Sequence, residues 1–441
     1  MEVTLALSVI TCVCMFLTIL IKPTVTLGNK SGGRHFTVGL YWIVALIGAA
    51  LLLVVGAISI QSVWAGLTSD RAINPLKILT LFICNTALSV FLDEVGFFKY
   101  LAIKCLSRVK GNQKRFFVLL YVLVSALTVF TSNDIVVLTF TPFICYYAKN
   151  ANVDPVPYLV GEFVAANSFS LMLIIGNPTN IYIATSYGID FGRYFVVMFI
   201  PALLAGLTGF LMTFLIFHKK LAQPIEPSPM EAKIDDKPML IVGLCALALC
   251  TLLLAISSYV GFEMWYISLA FALAILVFGL VYSLCKKRKP VEVAKTLSRS
   301  PWELIPFVIS MFVIVLALDS HGVTELLGKA LDTGEWSAMT FGSASFLFAN
   351  LINNIPMSVL FTSATGYCAA TEAAVYASVI GSNIGAYLTP VGALAGIMWL
   401  NILKTQDIKF GFLQFVKYGI MISVPTLLAA IAGLYASLNL F

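Results

Sequence analysis

Continuous apolar runs of about 20 residues recur along the whole chain and constrain its fold more than any other feature. Each run is long enough to cross a bilayer as a helix, and a backbone in hydrocarbon must satisfy its own hydrogen bonds. The runs do not alternate with polar residues, which argues against a β-barrel. The sequence therefore predicts an all-α polytopic membrane protein. Ten candidate spans lie near residues 3–21, 36–58, 74–92, 157–185, 194–217, 239–260, 264–284, 303–319, 373–403 and 418–438.

The composition supports this prediction. Of the 441 residues, 60% are hydrophobic and 11% are charged, whereas soluble chains carry about 25% charged residues. Such a chain cannot be a soluble enzyme, a disordered protein or a nucleic-acid-binding module. The nine cysteines are scattered without a CxxC pair, and no P-loop or HExxH motif occurs. We therefore expect a bilayer and a small solute as partners, without nucleic acid, cofactor, structural metal or enzymatic activity.

Two further apolar stretches, 116–147 and 337–363, are interrupted midway by polar residues. Each is long enough for a helical hairpin that enters the membrane and returns to the same side. If both are re-entrant and the N-terminus is outside, 23 of the 27 basic residues fall on the cytoplasmic side. This asymmetry is lost if either stretch crosses the membrane. The four basic residues left outside are Arg71, Lys77, Arg193 and Lys329.

The order span, span, hairpin, span, span occurs twice, with opposite orientations. We divide the chain into an extra N-terminal span and loop, a first repeat, a linker loop with a linker span, and a second repeat. Inverted repeats with broken helices are the architecture of secondary transporters. Segments 95–109 and 320–332, each before a hairpin, are predicted to be interfacial helices. The four divisions cover residues 1–35, 36–217, 218–263 and 264–441.

Polar residues interrupt both hairpins and the long span that follows each of them. Glycine permits a helix break, Asn, Ser and Thr cap new helix starts, and Pro fits a first turn. The exposed helix ends carry partial charges that can hold an ion or a polar solute. An alternative is a kinked helix whose polar groups satisfy one another. The predicted binding residues are Thr131, Ser132, Asn133, Gly176, Asn177, Pro178, Thr179, Asn180, Asn350, Asn353, Asn354, Pro356, Gly381, Ser382, Asn383, Gly385, Thr389 and Pro390.

Asp134 differs from the other acidic residues, because it lies at a hairpin tip between two apolar runs. An intramembrane carboxylate marks a functional site, and this one is suited to carry a proton or to help bind Na⁺ at the hairpin tips. The alternative is a plain helix cap. The remaining acids are expected near the membrane surfaces. Glu162 would reach the inner surface or line a cytoplasmic vestibule, and Asp93-Glu94 would lie near Lys99.

Four ordered segments of the chain resemble those of arsenical pump membrane proteins, a branch of the ion transporter superfamily. The first-hairpin segment, for example, resembles that family's "NDGAALILTP". The resemblance implies proton-coupled export of arsenite, antimonite or a similar metalloid hydroxide through a prokaryotic inner membrane, and hence arsenical resistance. It leaves open a soluble ATPase partner and a homodimer. The four segments are Phe91–Phe98, Asn133–Pro142, Asn353–Pro356 and Gly381–Leu400.

The break at 176–180 departs from this pattern. Its sequence, GNPTN, is unlike the "VSNLVN" of arsenite pumps and resembles "GDPPN" or "GNPQN" of other branches. Two alternatives therefore stay open: a sodium/proton antiporter, and a Na⁺-coupled dicarboxylate or citrate transporter. Asp134 at the hairpin tip would repel an anion, which argues against the second alternative.

Overall fold

The computed structural model describes residues 2–22, 24–27, 36–68, 74–106, 111–223, 233–234 and 236–440. Within these ranges the chain is nearly all helical, as predicted. The helices are α1 (Glu2–Ile21), α2 (Tyr41–Val54), α3 (Ile60–Thr68), α4 (Pro75–Glu94), α5 (Phe97–Leu106), α6 (Gln113–Phe130), α7 (Asn133–Asn150), α8 (Val156–Phe169), α9 (Pro178–Ser186), α10 (Phe191–Leu221), α11 (Lys237–Ala255), α12 (Ser257–Val260), α13 (Met264–Cys285), α14 (Val291–Arg299), α15 (Leu304–Ser320), α16 (Val323–Leu331), α17 (Ser337–Ile352), α18 (Asn354–Thr365), α19 (Thr371–Gly385), α20 (Leu394–Thr405) and α21 (Phe412–Leu440).

A short antiparallel ribbon joins α1 to α2 and was not expected from the sequence. It consists of β1 (Thr24–Leu27) and β2 (Phe36–Gly39), and Thr24 pairs with Gly39. The ribbon is attached to the start of α15, since the Gly39 N–H donates to Glu303 Oε1 at 2.8 Å. The Tyr41 hydroxyl donates to the other oxygen of the same carboxylate at 3.2 Å.

The predicted arrangement of ten spans and two hairpins is present. Eight helical segments in the described ranges are long and apolar enough to cross a membrane. One of these, α6, is a hairpin arm, and another, Val291–Ser320, combines α14 with the spanning helix α15. The other three crossings are the shorter helix α2 and the broken pairs α8–α9 and α19–α20. Each predicted interfacial helix is also found, as α5 and α16, and two more, α3 and α14, were missed.

Two inverted repeats follow the same order of elements. The first runs α2, α4, hairpin α6–α7, broken span α8–α9 and α10, and the second runs α13, α15, hairpin α17–α18, broken span α19–α20 and α21. The long helices α10 and α21 pack closely, because a Cβ on Gly433 would lie 3.1 Å from Pro201 Cα. The exact repeat boundaries stay a prediction, and most of the linker loop lies outside the described residues.

Ion pairs between distant segments agree with the predicted sidedness. We call the side that carries most of the basic residues the inner side. In the described ranges, each such pair joins two segments assigned to the same side. The pairs on the outer side are Lys77 with Glu263 and Arg193 with Glu372. Those on the inner side are Lys220 with Asp154, Arg288 with Asp236, Arg299 with Asp93 and Glu94, and Lys295 with Glu94.

Candidate functional site

The tip of the first hairpin presents polar atoms without partners. Ser132 precedes the first turn of α7 in extended backbone and makes no side-chain cap. The Asn133 amide donates to Asn167 Oδ1 on α8 at 3.0 Å, which places the tip at the level of the break after α8. Ser132 Oγ and Asn133 Oδ1 are buried and accept no hydrogen bond from the described residues. These two oxygens can accept hydrogen bonds from a bound solute or coordinate a cation. Thr131 is satisfied locally, through Leu127 O at 2.8 Å.

Asp134 lies in the first turn of α7 and is half-buried. Its carboxylate forms no hydrogen bond or ion pair with the part of the chain that the structure describes, so it does not act as the helix cap. The cap position belongs to Ser132. The carboxylate of Asp134 is thus without a partner among the described residues, and its role in binding a proton or a cation stays a prediction.

The first helix break is built by residues that the sequence predicted. Asn177 Oδ1 accepts the Thr179 N–H and hydroxyl, each at 3.1 Å, and Pro178 opens α9. The Asn180 amide donates to Ser170 O at 2.7 Å, so it satisfies a carbonyl that the end of α8 leaves unpaired. A Cβ on Gly176 would lie 2.3 Å from the same carbonyl oxygen, and only glycine fits there.

Asn383 on α19 joins the two halves of the protein. Its Oδ1 accepts the Ser170 hydroxyl at 2.8 Å and the Asn177 amide at 2.9 Å. Its Nδ2 donates to Asn180 Oδ1 at 2.6 Å and to Val379 O at 2.9 Å. All four hydrogen-bonding positions of the amide are thus occupied. We call this cluster of Ser170, Asn177, Asn180 and Asn383 the amide junction.

The second hairpin is tied to the second break. Asn350 Oδ1 accepts the Thr389 N–H at 3.0 Å and its hydroxyl at 2.7 Å, while its Nδ2 donates to Gly385 O at 3.0 Å. Asn353 has φ 75° and ψ 153°, a region in which a non-glycine residue costs about 1–3 kcal/mol. Its amide donates to Val391 O at 2.9 Å. The tip is therefore held in a strained conformation by its contact with the break.

The other predicted residues differ in their contacts. Ser382 Oγ is buried without a partner in the described ranges, and the Asn354 side chain is buried without a hydrogen bond there. Pro356 and Pro390 lie in first helical turns. Gly381 packs closely against α17, because a Cβ there would lie 1.9 Å from Ser345 Oγ, and its part in the solute site stays a prediction.

Sequence reasoning missed Asn167. This residue lies ten positions before Asn177, the cap of α9, and Asn383 lies ten positions before Ala393, the cap of α20. Each of the two asparagines donates to a carbonyl four residues earlier, at 2.8 Å and 2.9 Å. Counting back from the two caps would have identified Asn167 as the residue of the first half that is equivalent to Asn383 in the second.

The expectation for Glu162 was wrong. Its side chain is fully buried and neither reaches the inner surface nor lines a vestibule. The carboxylate accepts the Thr141 hydroxyl at 3.1 Å and the Trp399 indole N–H at 3.3 Å. Every residue of 156–168 is buried, because α8 is surrounded by other helices. Asp134 is thus not the one acidic residue away from the surfaces.

A cavity of about 800 Å³ opens between the inner ends of α4 and α5 and the returning hairpin arm α7. Leu138, one turn after Asp134, belongs to its wall. The acidic pair at the end of α4 and Lys99 also line it, so they lie near one another as expected, although they form no ion pair among the described residues. Arg299 from α14 pairs with the two acids instead, with 2.7 Å to Asp93. The cavity forms a vestibule on the inner side.

Comparisons with known proteins agree with this architecture. The sequence profile of a family described as "Citrate transporter" matches residues 38–381. The arsenical pump membrane protein of Escherichia coli strain K12 is 28% identical over 420 residues, covering 90% of this chain and 93% of that protein. The putative arsenical pump membrane protein of Bacillus subtilis strain 168 is 26% identical over 423 residues, with 89% and 93% covered.

A solved structure has the same fold. The Alcanivorax borkumensis YdaH transporter, whose crystal structure is described as revealing an unusual topology, superposes with a TM-score of 0.58. The superposition covers 99% of this chain and 98% of that chain at 14% identity. At this identity the likeness concerns the fold alone.

Proposed function

The chain belongs to the citrate transporter family, and from this premise we propose that it exports arsenite, antimonite or a similar small metalloid hydroxide in exchange for protons. That it is a membrane transporter follows from its family and its relatives. One observation supports the finer proposal most: at the hairpin tip, the carboxylate of Asp134 and the adjacent oxygens of Ser132 and Asn133 have no partner among the described residues.

The chemistry of the tip favours a neutral solute that donates hydrogen bonds. A metalloid trihydroxide offers three O–H donors. The tip offers buried oxygens that receive no hydrogen bond from the described residues. In the described ranges no Lys or Arg forms a hydrogen bond or ion pair with the predicted binding residues, so no cationic side chain is placed to bind an anion. The relatives named arsenical pump membrane proteins support the same substrate class.

Asp134 gives a route to coupling. An ionised carboxylate accepts hydrogen bonds from the solute at both oxygens, whereas a protonated carboxyl group gives up one acceptor position to its own O–H. A proton from the opposite side therefore weakens the interaction with the solute. Exchange of one proton for one solute at the same residue makes the proton gradient drive export. The orientation belongs to this proposal: an outside N-terminus and cytoplasmic basic loops, in a prokaryotic inner membrane.

Citrate or a related carboxylate is a second candidate, favoured by the description of the family profile. Helices α7, α9, α18 and α20 all begin at the hairpin tips or breaks, and helix N-termini attract anions. Asp134 opposes this candidate by charge repulsion. A sodium/proton antiporter would use the same carboxylate but would bind only cations.

Flux in proteoliposomes separates these functions. The purified chain is reconstituted without ATP, a pH gradient is imposed, and movement of arsenite, Na⁺ and citrate is measured in separate arms. We expect gradient-driven arsenite flux in the wild type and its loss in Asp134→Asn, because the amide cannot exchange a proton. Asp407→Asn, an exposed loop carboxylate, is the matched control and should transport like the wild type.

Each alternative has its own result in the same assay. Arsenite flux that ignores the gradient would refute the coupling, and gradient-driven Na⁺ or citrate flux without arsenite flux would refute the substrate. Asp134→Asn with full pH-dependent transport would refute its role. The soluble ATPase partner and the homodimer stay predictions, and flux without ATP would show that the first is dispensable.

A further inference from the structure

Glu162 is a second buried carboxylate that the proposed mechanism does not use. It lies on α8 and is fully buried. Its two oxygens accept the Thr141 hydroxyl from α7 at 3.1 Å and 3.2 Å, and Oε2 also accepts the Trp399 indole N–H from α20 at 3.3 Å. One carboxyl group thus joins the hairpin arm that carries Asp134 to the inner halves of both broken spans.

No basic side chain in the part of the chain that the structure describes compensates this carboxylate. In the described ranges, no Lys, Arg or His forms a hydrogen bond or ion pair with Glu162. Among the described residues, the ionisable group that interacts electrostatically with Glu162 is the Cys145 thiol of α7. Helix α20 contributes an uncharged hydrogen-bond donor, the indole of Trp399. A carboxylate buried without a cation is expensive, and apolar side chains of similar volume would stabilise the same place at least as well. An acid retained there is better explained by a role in which it exchanges a proton.

The position of Thr141 relates Glu162 to Asp134. The two α7 residues are seven positions apart, so they lie on the same face of the helix, about 10 Å apart along its axis. The adjoining residue Pro142 lines the inner vestibule. A change at Glu162 therefore acts on the arm that carries the coupling carboxylate, next to the inner vestibule.

We propose that Glu162 is a second proton-carrying residue of the transport cycle, and that its protonation sets how firmly α8 holds α7 and α20. The inference rests on the proposed proton-coupled function. Water in the vestibule supplies the proton, which binds one carboxylate oxygen and later returns to water. Ionised, the group accepts both donors. Protonated, its O–H occupies one acceptor position, and the contact with Thr141 or Trp399 weakens.

The test uses arsenite exchange by the full chain in liposomes with equal pH on both sides, measured over a pH series. We expect Glu162→Gln, which imitates the neutral acid, to transport but to lose one limb of the wild-type pH profile. Thr141→Val keeps the acid and removes one donor to its ionised form, so the midpoint of that limb should move to higher pH. Glu335→Gln, an exposed acid on the outer side, is the matched control and should keep the wild-type profile.

The outcomes separate this inference from the proposed function. If the wild type and Glu335→Gln show gradient-driven flux in the pH-gradient assay above, and Glu162→Gln keeps their pH profile at equal pH, the inference is wrong and the proposed function stands. If the wild type shows no gradient-driven flux, the proposed function fails first. Should Glu162→Gln not fold, infrared spectra of the wild type and Thr141→Val decide. We expect a carboxyl C=O band that disappears as pH rises and that shifts in Thr141→Val, and the absence of both changes would overturn the inference.

Discussion

Replacement of Asn383 by alanine tests whether the amide junction holds the two halves together. The Asn383 side chain makes four hydrogen bonds. When it is removed, two of the partner atoms are left without any other hydrogen bond to the described residues. Asn177 Nδ2 and Asn180 Oδ1 are both buried and bond to Asn383 alone. Ser170 Oγ is different, because it also donates to Asn167 O at 2.9 Å and stays satisfied.

The expected loss follows from the two orphaned groups. A buried polar group without its partner costs about 1–3 kcal/mol, so two such groups together destabilise the protein by about 2–6 kcal/mol. A single interhelical hydrogen bond in a membrane protein contributes much less, about 0.6 kcal/mol on average. The difference between these magnitudes makes the experiment decisive.

The measurement is the free energy of unfolding in mixed detergent and SDS micelles, followed by tryptophan fluorescence. Asn401→Ala, an exposed asparagine of α20, is the matched control and should change it little. Adding Asn177→Ala to Asn383→Ala removes one orphaned group, so the double variant should be less destabilised than the sum of the single variants, by about 1–3 kcal/mol. A loss below about 1 kcal/mol for Asn383→Ala, or strict additivity, would refute the junction.

Two further predictions concern packing and pH. A Cβ on Gly381 would overlap Ser345 Oγ, so Gly381→Ala should lower the free energy of unfolding by about 3 kcal/mol. Gly411→Ala, where a Cβ meets open space, should not. On the outer side, hydrogen bonds led by the Ala369 N–H lower the pKa of Asp332 from 3.8 to about 2. Its stabilising effect is measured as the difference in unfolding temperature between the wild type and Asp332→Asn. This difference should be present above pH 4 and decline as pH falls toward 2. A difference that stays constant over that interval would contradict the prediction.

The spans and hairpins could be predicted because they depend on length and on charge. A helix must be long enough to cross hydrocarbon, and basic residues mark one side. The polar interruptions at 131–134 and 350–356 then fixed the hairpins, since helix ends inside the membrane need capping residues. These signals are local in sequence, and the structure reproduces them closely.

Features that depend on contacts between distant segments could not be predicted in this way. Helices α3 and α14 were missed because, unlike α5 and α16, they do not stand directly before a hairpin, so the repeated order of spans and hairpins did not indicate them. The inner pairing of Asp93 with Arg299 joins residues more than 200 positions apart. Glu162 was misplaced because it lies near the inner end of α8 in sequence, which suggests access to water. Its actual exposure depends on the packing of α7 and α20 around it.

The two halves share their framework but differ in their acidic residues. Ser132 and Asn353 occupy the same cap position of α7 and α18, and two residues later the first half has Asp134 where the second has Ile355. Fifteen residues before the caps of α9 and α20, the first half has Glu162 and the second has Ser378. Both intramembrane carboxylates thus belong to the first half. If protons drive the cycle, they are exchanged at the first hairpin and its neighbouring broken span, while the second half contributes asparagine amides that position the site through Asn383 and Asn350.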